Sequence, residues 1–332
     1  MKQEILSRIQ KKFPLEAKPF KVIADELNMS EDEVLSILQE EKKNNIIRQT
    51  SAIFDTKRLG YSSSLVAFKI APEKIDDAVK IINAHPGISH NYERNHDFNI
   101  WFTLAVAPDS KLGLEKTLEI LSELTQAEDY IMLPTLKLFK ISVKLNTTGK
   151  DDKKEKVKKV KHKEIELTPL HHKIIQKAQY DIEITSEPFK KIIDELEIDY
   201  ETFFSILKEL QEAGIMRRFA SILNHRKAGF NANAMVVWDV DENNGEEIGE
   251  KAAAFSAVSH CYLRPKYENW PYNLFTMVHG KTTEETNSII EEMSQEINAK
   301  AHMPLYSSRE FKKVRIEYFT PAFEAWENQH TA

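Results

Sequence analysis

Residues 89–94 read SHNYER, and residues 259–264 read SHCYLR. The near identity of these hexapeptides decides how the chain divides, because the likeness spreads outward from them. Displacing the sequence by 169 positions lays Phe20-Lys21 on Phe189-Lys190, Asp25-Glu26-Leu27 on Asp194-Glu195-Leu196 and Ser36-Ile37-Leu38 on Ser205-Ile206-Leu207. The register runs without a gap through Arg48 on Arg217 to Gly60-Tyr61 on Gly229-Phe230. After one extra residue it reaches the hexapeptides, and later Pro134 on Pro304. A chain of 332 residues is long for one compact unit, and here it is a module written twice, near 1–148 and 164–332. Two copies are too few for a solenoid, so they are expected to face one another as a pseudo-dimer within one chain.

Between the copies the composition changes. Residues 150–163, KDDKKEKVKKVKHK, hold eight lysines against three acids, so the remainder of the chain carries −11 rather than the overall −6. The run lacks apolar periodicity and reads as a solvated linker over 149–163. A body that acidic is a poor general binder of nucleic acid, whose affinity rests on neutralising phosphates. The single cysteine, Cys261, rules out an intrachain disulfide and gives no sign of an oxidising compartment. The start MKQEILSRIQKKF has no signal-type apolar core, and no run of about 20 apolar residues occurs. A cytoplasmic protein without a membrane partner is expected.

Each copy opens with helical patterns. In KPFKVIADELNMSEDEVLSILQEEKKNNIIR, Phe20, Ile23, Ala24 and Leu27 mark one helix; Ser30 followed by Glu33 is a capping box, and Val34, Leu35, Ile37 and Leu38 give the second helix its buried stripe. These form a helix-turn-helix, and IIRQTSAIFDTKRLGYSS resembles a wing hairpin. After Gly60 the pattern becomes strand (SSLVAFKIA), helix, strand (GISHNYER), strand (NIWFTLAVA), helix, and a final strand around Asp129–Lys144. That order, βαββαβ, is the ferredoxin-like split unit. The predicted class is α+β. Its domains are a winged helix-turn-helix at 1–60, a ferredoxin-like domain at 61–148, and the same pair after the linker at 164–229 and 230–332.

In an extended strand alternate side chains share a face. His90, Tyr92 and Arg94 are therefore expected on one side and Ser89, Asn91 and Glu93 on the other, with His260, Tyr262 and Arg264 repeating the first set. The loops that follow differ: Arg94 to Asn99 takes five steps, Arg264 to Asn273 nine. One working site with two unequal walls would need this combination. Metal chemistry has little support, since His171 and His172 are adjacent and neither an HExxH motif nor a cysteine pair occurs. Cys261 alternates away from the histidine face and reads as a packed side chain.

A helix-turn-helix followed by βαββαβ resembles the Lrp/AsnC transcription regulators over each whole repeat. Yet the candidate recognition helix begins Glu31-Asp32-Glu33, and its counterpart carries Asp199 and Glu201. These charges repel DNA and suit a helix N-terminus instead, so no nucleic-acid partner is expected. The segment HPGISHNYERNHDFNIWFTL (85–104), with the wing segment and MLPTLKLFK, is similar to the siroheme decarboxylases, which share the Lrp/AsnC architecture. The similarity covers nearly the whole chain outside the linker. In that family two homologous subunits pair, and here both are fused. The resemblance implies removal of the carboxyl groups of the C12 and C18 acetates of siroheme, giving 12,18-didecarboxysiroheme for haem or haem d1 formation. It implies no required cofactor, siroheme being the substrate. The rival readings are a transcription regulator and a haem- or siroheme-sensing protein without catalysis. Further pairing into a homo-oligomer is left open.

Siroheme is a flat macrocycle with carboxylates around its rim, and guanidinium forks suit such groups. Substrate-binding candidates are Lys57 and Arg58 on the first wing, Arg217, Arg218 and Arg226 on the second, and His90, Arg94, His260, Tyr262 and Arg264 on the strands. Arg48 is placed with the catalytic set. Decarboxylation leaves an electron pair on the side-chain carbon, so the protein has to orient the carboxylate, limit its solvation and supply a proton. A histidine suits this near neutral pH. His96, in the loop beyond the shared strand face, is the expected donor with Tyr92 assisting, and Tyr267 is its expected replacement on the other wall.

Overall fold

The structure is a computed structural model that describes residues 1–141, 162–224 and 232–331. In the first half the elements are α1 (Lys2–Lys11), α2 (Pro19–Glu26), α3 (Glu31–Lys43), β1 (Ile47–Phe54), β2 (Ser62–Lys69), α4 (Ile75–Ala84), β3 (Ile88–Arg94), β4 (Ile100–Val106), α5 (Gly113–Thr125), β5 (Asp129–Leu133) and β6 (Lys137–Ile141). The second half repeats them as α6 (Pro169–Ala178), α7 (Lys190–Leu196), α8 (Tyr200–Glu212), β7 (Met216–Leu223), β8 (Ala232–Asp239), α9 (Gly245–Ala253), β9 (Val258–Leu263), β10 (Leu274–Gly280), α10 (Thr283–Ile297) and β11 (Ala301–Lys313). A last helix, α11 (Ala322–His330), closes the second half. No described helix is long and apolar enough to cross a membrane.

The chain forms two compact units, and they group like with like instead of following the repeats. One gathers Met1–Tyr61, Val160–Arg226 and Glu317–Ala322; the other gathers Ser62–Lys159, Lys227–Ile316 and Phe323–Ala332. Most of the lysine-rich linker lies outside the described residues. At its end Lys163 donates its backbone N–H to the Glu212 carbonyl.

The first unit contains both helix-turn-helix segments. Ser30 caps α3 as the sequence indicates: its hydroxyl accepts from the Glu33 N–H, and the Glu33 carboxylate accepts from the Ser30 N–H. Asp199 does the same work for α8 by accepting from the Thr202 N–H at 2.7 Å. The wing hairpin is corrected by the structure, because β1 has no return strand of its own and instead pairs antiparallel with β7 of the other half. In that ribbon Ser51 pairs with Ala220, its own counterpart in the 169-residue register. A local two-fold axis therefore runs through the pair. Beside it, the buried hydroxyls of Thr50 and Ser221 join at 2.7 Å. Phe13, Phe20, Phe189, Phe203 and Phe219 form a ring cluster beneath the ribbon, giving the unit one core fed by both halves.

The second unit contains one nine-stranded sheet among the described residues, in the order β5-β2-β4-β3-β11-β8-β10-β9-β6. Each half keeps the antiparallel ferredoxin-like order. The closing strands differ from a simple repeat. Residues Ala301–Tyr306 of β11 pair with β8 of their own half, whereas Ser307–Lys313 cross to β3 of the first half. Reciprocally, the single strand expected around Asp129–Lys144 is broken at Pro134–Leu136. Its second piece, β6, pairs with β9 of the second half. The halves thus exchange strand ends, and Phe139 sits in the second half's core. Gly249 allows this approach, since a Cβ there would lie 2.3 Å from the Phe139 ring. Phe311 packs on the first half's core in the same way. Helices α4, α5 and α11 cover the first half's outer face; α9 and α10 cover the second's. Cys261 lies in that second layer, buried, as the alternation indicates.

Candidate active site

The inner faces of the two half-sheets meet over a shared apolar floor. Phe98, Trp101, Ile131 and Leu133 from the first half pack with Met235, Val237, Trp270, Phe275 and Leu305 from the second. Above this floor the packing stops and a cavity of about 820 Å³ opens, within the size range of small-molecule sites (roughly 300–1,000 Å³). Both strand ladders line it: His90, Tyr92 and Arg94 on one wall, His260, Tyr262 and Arg264 on the other.

Each ladder is a stack. The His90 and Tyr92 rings lie 6.3 Å apart and the Arg94 guanidinium 5.5 Å from the Tyr92 centroid; the matching separations are 6.2 Å for His260 and Tyr262 and 4.8 Å for Arg264 over Tyr262. The arginines are buried. Arg94 donates from Nη1 to the Leu305 carbonyl at 2.8 Å, and Arg264 donates to the Leu133 carbonyl, so each is anchored on a closing strand. The Nε of each has no partner among the described residues. Burial lowers both guanidinium groups to about 10, with the neighbouring tyrosine opposing the shift, so both remain cationic at neutral pH.

The exchanged part of β11 adds Arg309, Glu310 and Lys313. Arg94, Arg264, Arg309 and Lys313 line the cavity with the carboxylate of Glu310; Arg309 is paired with Glu93 and with Asp76, and Lys313 with Glu310 at 3.9 Å, which leaves Arg94 and Arg264 as the lining cations without a carboxylate partner among the described residues. Burial, and then Glu310, raises the Tyr92 hydroxyl to about 12. Burial lowers His90, with the Lys313 charge adding to the effect, and lowers His260, with His90 adding to it. Both shifts favour the neutral ring. Among the described residues no cluster of His, Cys, Asp or Glu is placed to hold a metal ion.

Strict alternation fails at one point on each wall. The pairing of β9 with β10 slips between Met277 and Val278, and that of β3 with β4 slips between Ile88 and Asn91. These bulges turn Ser259 and Ser89, expected on the opposite face, toward the histidines that follow them. Ser89 Oγ lies 2.9 Å from His90 Nδ1, and Ser259 Oγ lies 2.7 Å from His260 Nδ1. On the second wall alone the chain of contacts continues, through His279 and Asn233.

The other expected residues lie elsewhere. His96 is not among the lining residues: its Nδ1 accepts from the Phe98 N–H at 2.9 Å and its ring meets Trp270 edge to face. Tyr267, also outside the lining, donates its hydroxyl to the Met132 carbonyl and fastens the longer loop to β5. Arg48, Lys57, Arg58, Arg217 and Arg218 belong to the other unit, where all five are exposed. Arg217 is paired with Asp55 at 2.8 Å, and Arg58 donates to the Ala213 carbonyl. None of the five is among the lining residues of the cavity: Arg48 lies on β1, Lys57 and Arg58 on the turn after it, and Arg217 and Arg218 on β7. Arg226 lies outside the described residues. Sequence reasoning missed Arg309, Lys313, Ser259, Asn233 and His279. Only His279 left a trace, since Tyr92 pairs with Trp101 and Tyr262 with Phe275, which sets His279 in the place that Ala105 takes in the first half.

Comparison with known proteins agrees with this geometry. Residues 58–140 and 227–312 match the family of AsnC-like ligand binding domains, and residues 2–48 match the siroheme decarboxylase NirDL-like HTH domain. A siroheme decarboxylase of Hydrogenobacter thermophilus is 41% identical over 323 residues, spanning 97% of this chain and 96% of that one. The crystal structure of the siroheme decarboxylase NirDL superposes with a TM-score of 0.81 at 36% identity, covering 99% of this chain and 98% of that one. The same enzyme in complex with an iron-uroporphyrin III analogue gives 0.80 at 35% identity with the same coverage.

Proposed function

The chain belongs to the siroheme decarboxylase family, and from that membership we infer that its cavity takes siroheme and releases carboxyl groups from it as carbon dioxide. The observation that carries this reading is the cavity's lining: two buried arginines, Arg94 and Arg264, held on backbone carbonyls and without a carboxylate partner among the described residues, set over an aromatic floor. A flat polycarboxylate fits such a lining, because rings and methionine side chains receive its faces while guanidinium groups receive its rim. The reacting groups are proposed to be the C12 and C18 acetates, which become methyl groups, and the product is proposed to serve haem or haem d1 formation.

Arg94 and Arg264 hold rim carboxylates through the donors their carbonyl partners leave over. His90 and His260, whose rings reach the cavity, replace His96 as proposed proton donors, with Tyr92 beside them. The electron pair left by departing carbon dioxide is taken up by the substrate's conjugated ring, so the protein's tasks are orientation, exclusion of water and one proton per carboxylate. No added cofactor enters this scheme. Anaerobic incubation of purified protein with siroheme alone is expected to yield a product lighter by two carbon dioxide units with a shifted absorption spectrum; an unchanged mass rejects the reading. Arg264→Ala is expected to raise the siroheme Kd about 30-fold, in line with roughly 2 kcal/mol or more for a truncated buried charge contact.

The helix-turn-helix unit is proposed to act as a pairing frame and not as a DNA reader. The first turns of α3 and α8 are acidic, Glu33 and Asp199 are engaged in caps, and Glu31 accepts from the Ser186 hydroxyl. A gel-shift with random duplex is expected to show no complex at moderate salt.

A further inference from the structure

On the second wall four side chains stand in line. Asn233 Oδ1 lies 2.8 Å from His279 Nδ1, His279 Nε2 lies 2.6 Å from Ser259 Oγ, and Ser259 Oγ lies 2.7 Å from His260 Nδ1. The amide oxygen can only accept, which fixes the resting directions. His279 Nδ1–H donates to Asn233, the Ser259 hydroxyl donates to His279 Nε2, and His260 Nδ1–H donates to Ser259. His260 Nε2 is left with no protein partner among the described residues, on a ring that lines the cavity. The first wall stops after Ser89 and His90. Ala105 occupies the place of His279 and Ser63 that of Asn233, as the pairings Ser63 with Ala105 and Asn233 with His279 show.

We propose that Asn233, His279, Ser259 and His260 form a proton relay for the decarboxylation, present on one wall only, with His279 as the positioning residue that takes up and passes on the proton His260 delivers. This rests on the functional reading above. One proton taken from solvent converts the resting chain to its reversed form. His279 then carries hydrogen on both nitrogens, Ser259 donates to His260 Nδ1, and His260 presents Nε2–H to the cavity. When the bond between the side-chain methylene and its carboxylate breaks, carbon dioxide leaves and the electron pair stays with the methylene carbon. That carbon takes the His260 Nε2 proton. The Ser259 proton moves to His260 Nδ1, and the His279 Nε2 proton moves to Ser259, restoring the resting form with one solvent proton consumed per carbon dioxide. Burial, with His260 alongside, holds His279 at about 4, so a proton placed there is readily passed on.

The test compares kcat and KM for siroheme decarboxylation in the full chain and in His279→Ala, His279→Gln and Ser259→Ala. The alanine variant copies the first wall's own residue, and siroheme titration by absorbance reports whether it still binds. Expected is a fall in kcat of about tenfold or more at unchanged KM in all three, with imidazole in the buffer restoring His279→Ala. Glutamine keeps a hydrogen bond to Ser259 but cannot take up a proton, so full kcat in His279→Gln would reduce the residue to an orienting contact and overturn the relay. Wild-type kcat in His279→Ala would overturn it as well. Should His279→Ala bind no siroheme, Ser259→Ala, which loses only a hydroxyl, decides the matter by the same criterion. If the wild-type protein releases no carbon dioxide, the functional reading itself fails, and that result is read before any variant is compared.

Discussion

The two walls of the cavity begin from the same hexapeptide and end as different chemical surfaces. On the first, His90 backs onto Ser89 and an apolar strand; on the second, His260 backs onto three further polar groups. Both walls carry the same His-Tyr-Arg stack and the same bulge, so the duplicated frame was kept while its backing changed. The lesson is that recognition and reaction can diverge independently in a doubled module. In the proposed reading the symmetric arginines grip a ligand of repeating rim charge, and the asymmetric histidine environment decides where a proton is delivered.

The widest gap between the halves is expected in their closing strands. Phe139 is buried in the second half's core, whereas Phe311 is only partly buried against the first. Phe139→Ala is expected to cost about 3–5 kcal/mol, typical of a buried ring deletion, and Phe311→Ala about half of that; equal losses in denaturant unfolding would break the distinction. Next comes the chemistry, where His260→Ala is expected to lower kcat about a hundredfold and His90→Ala clearly less. Single-turnover rates with siroheme would sharpen or erase that ranking.

A smaller effect follows from acidity. One histidine in each half is lowered furthest: His85, to about 3 by burial and by Lys312 and His330 nearby, and His279, to about 4 by burial and by His260. An unfolded histidine takes a proton below about pH 6.5, while these folded ones do not until pH 3 to 4. Protons therefore favour the unfolded chain across that interval, and stability falls as pH drops from about 6.5 toward 4. Urea midpoints at pH 7 and pH 5 are expected to differ in this direction, and His279→Ala should remove that residue's own share.

The repeat, the Ser30–Glu33 capping box, the βαββαβ order and the face shared by His90, Tyr92 and Arg94 were legible because each rests on spacing along the chain. What spacing does not encode is which strand edge a segment will join. The crossing of Ser307–Lys313 to β3 was therefore invisible, and with it Arg309 and Lys313. The bulges at Ser89 and Ser259 were hidden for a related reason: an extra residue in one strand shows itself only against its neighbour. His96 misled because proximity in sequence placed it beside the ladder, while its ring packs with Phe98 and Trp270.

The traded strand ends have an evolutionary corollary. Where two kindred polypeptides assemble freely, like can join like, and half of such couples would own either twin relays or none. Carrying both versions on one translation product guarantees that every assembled pair is mixed. The specialised histidine could then drift away from its sibling without ever being diluted by mismatched partners.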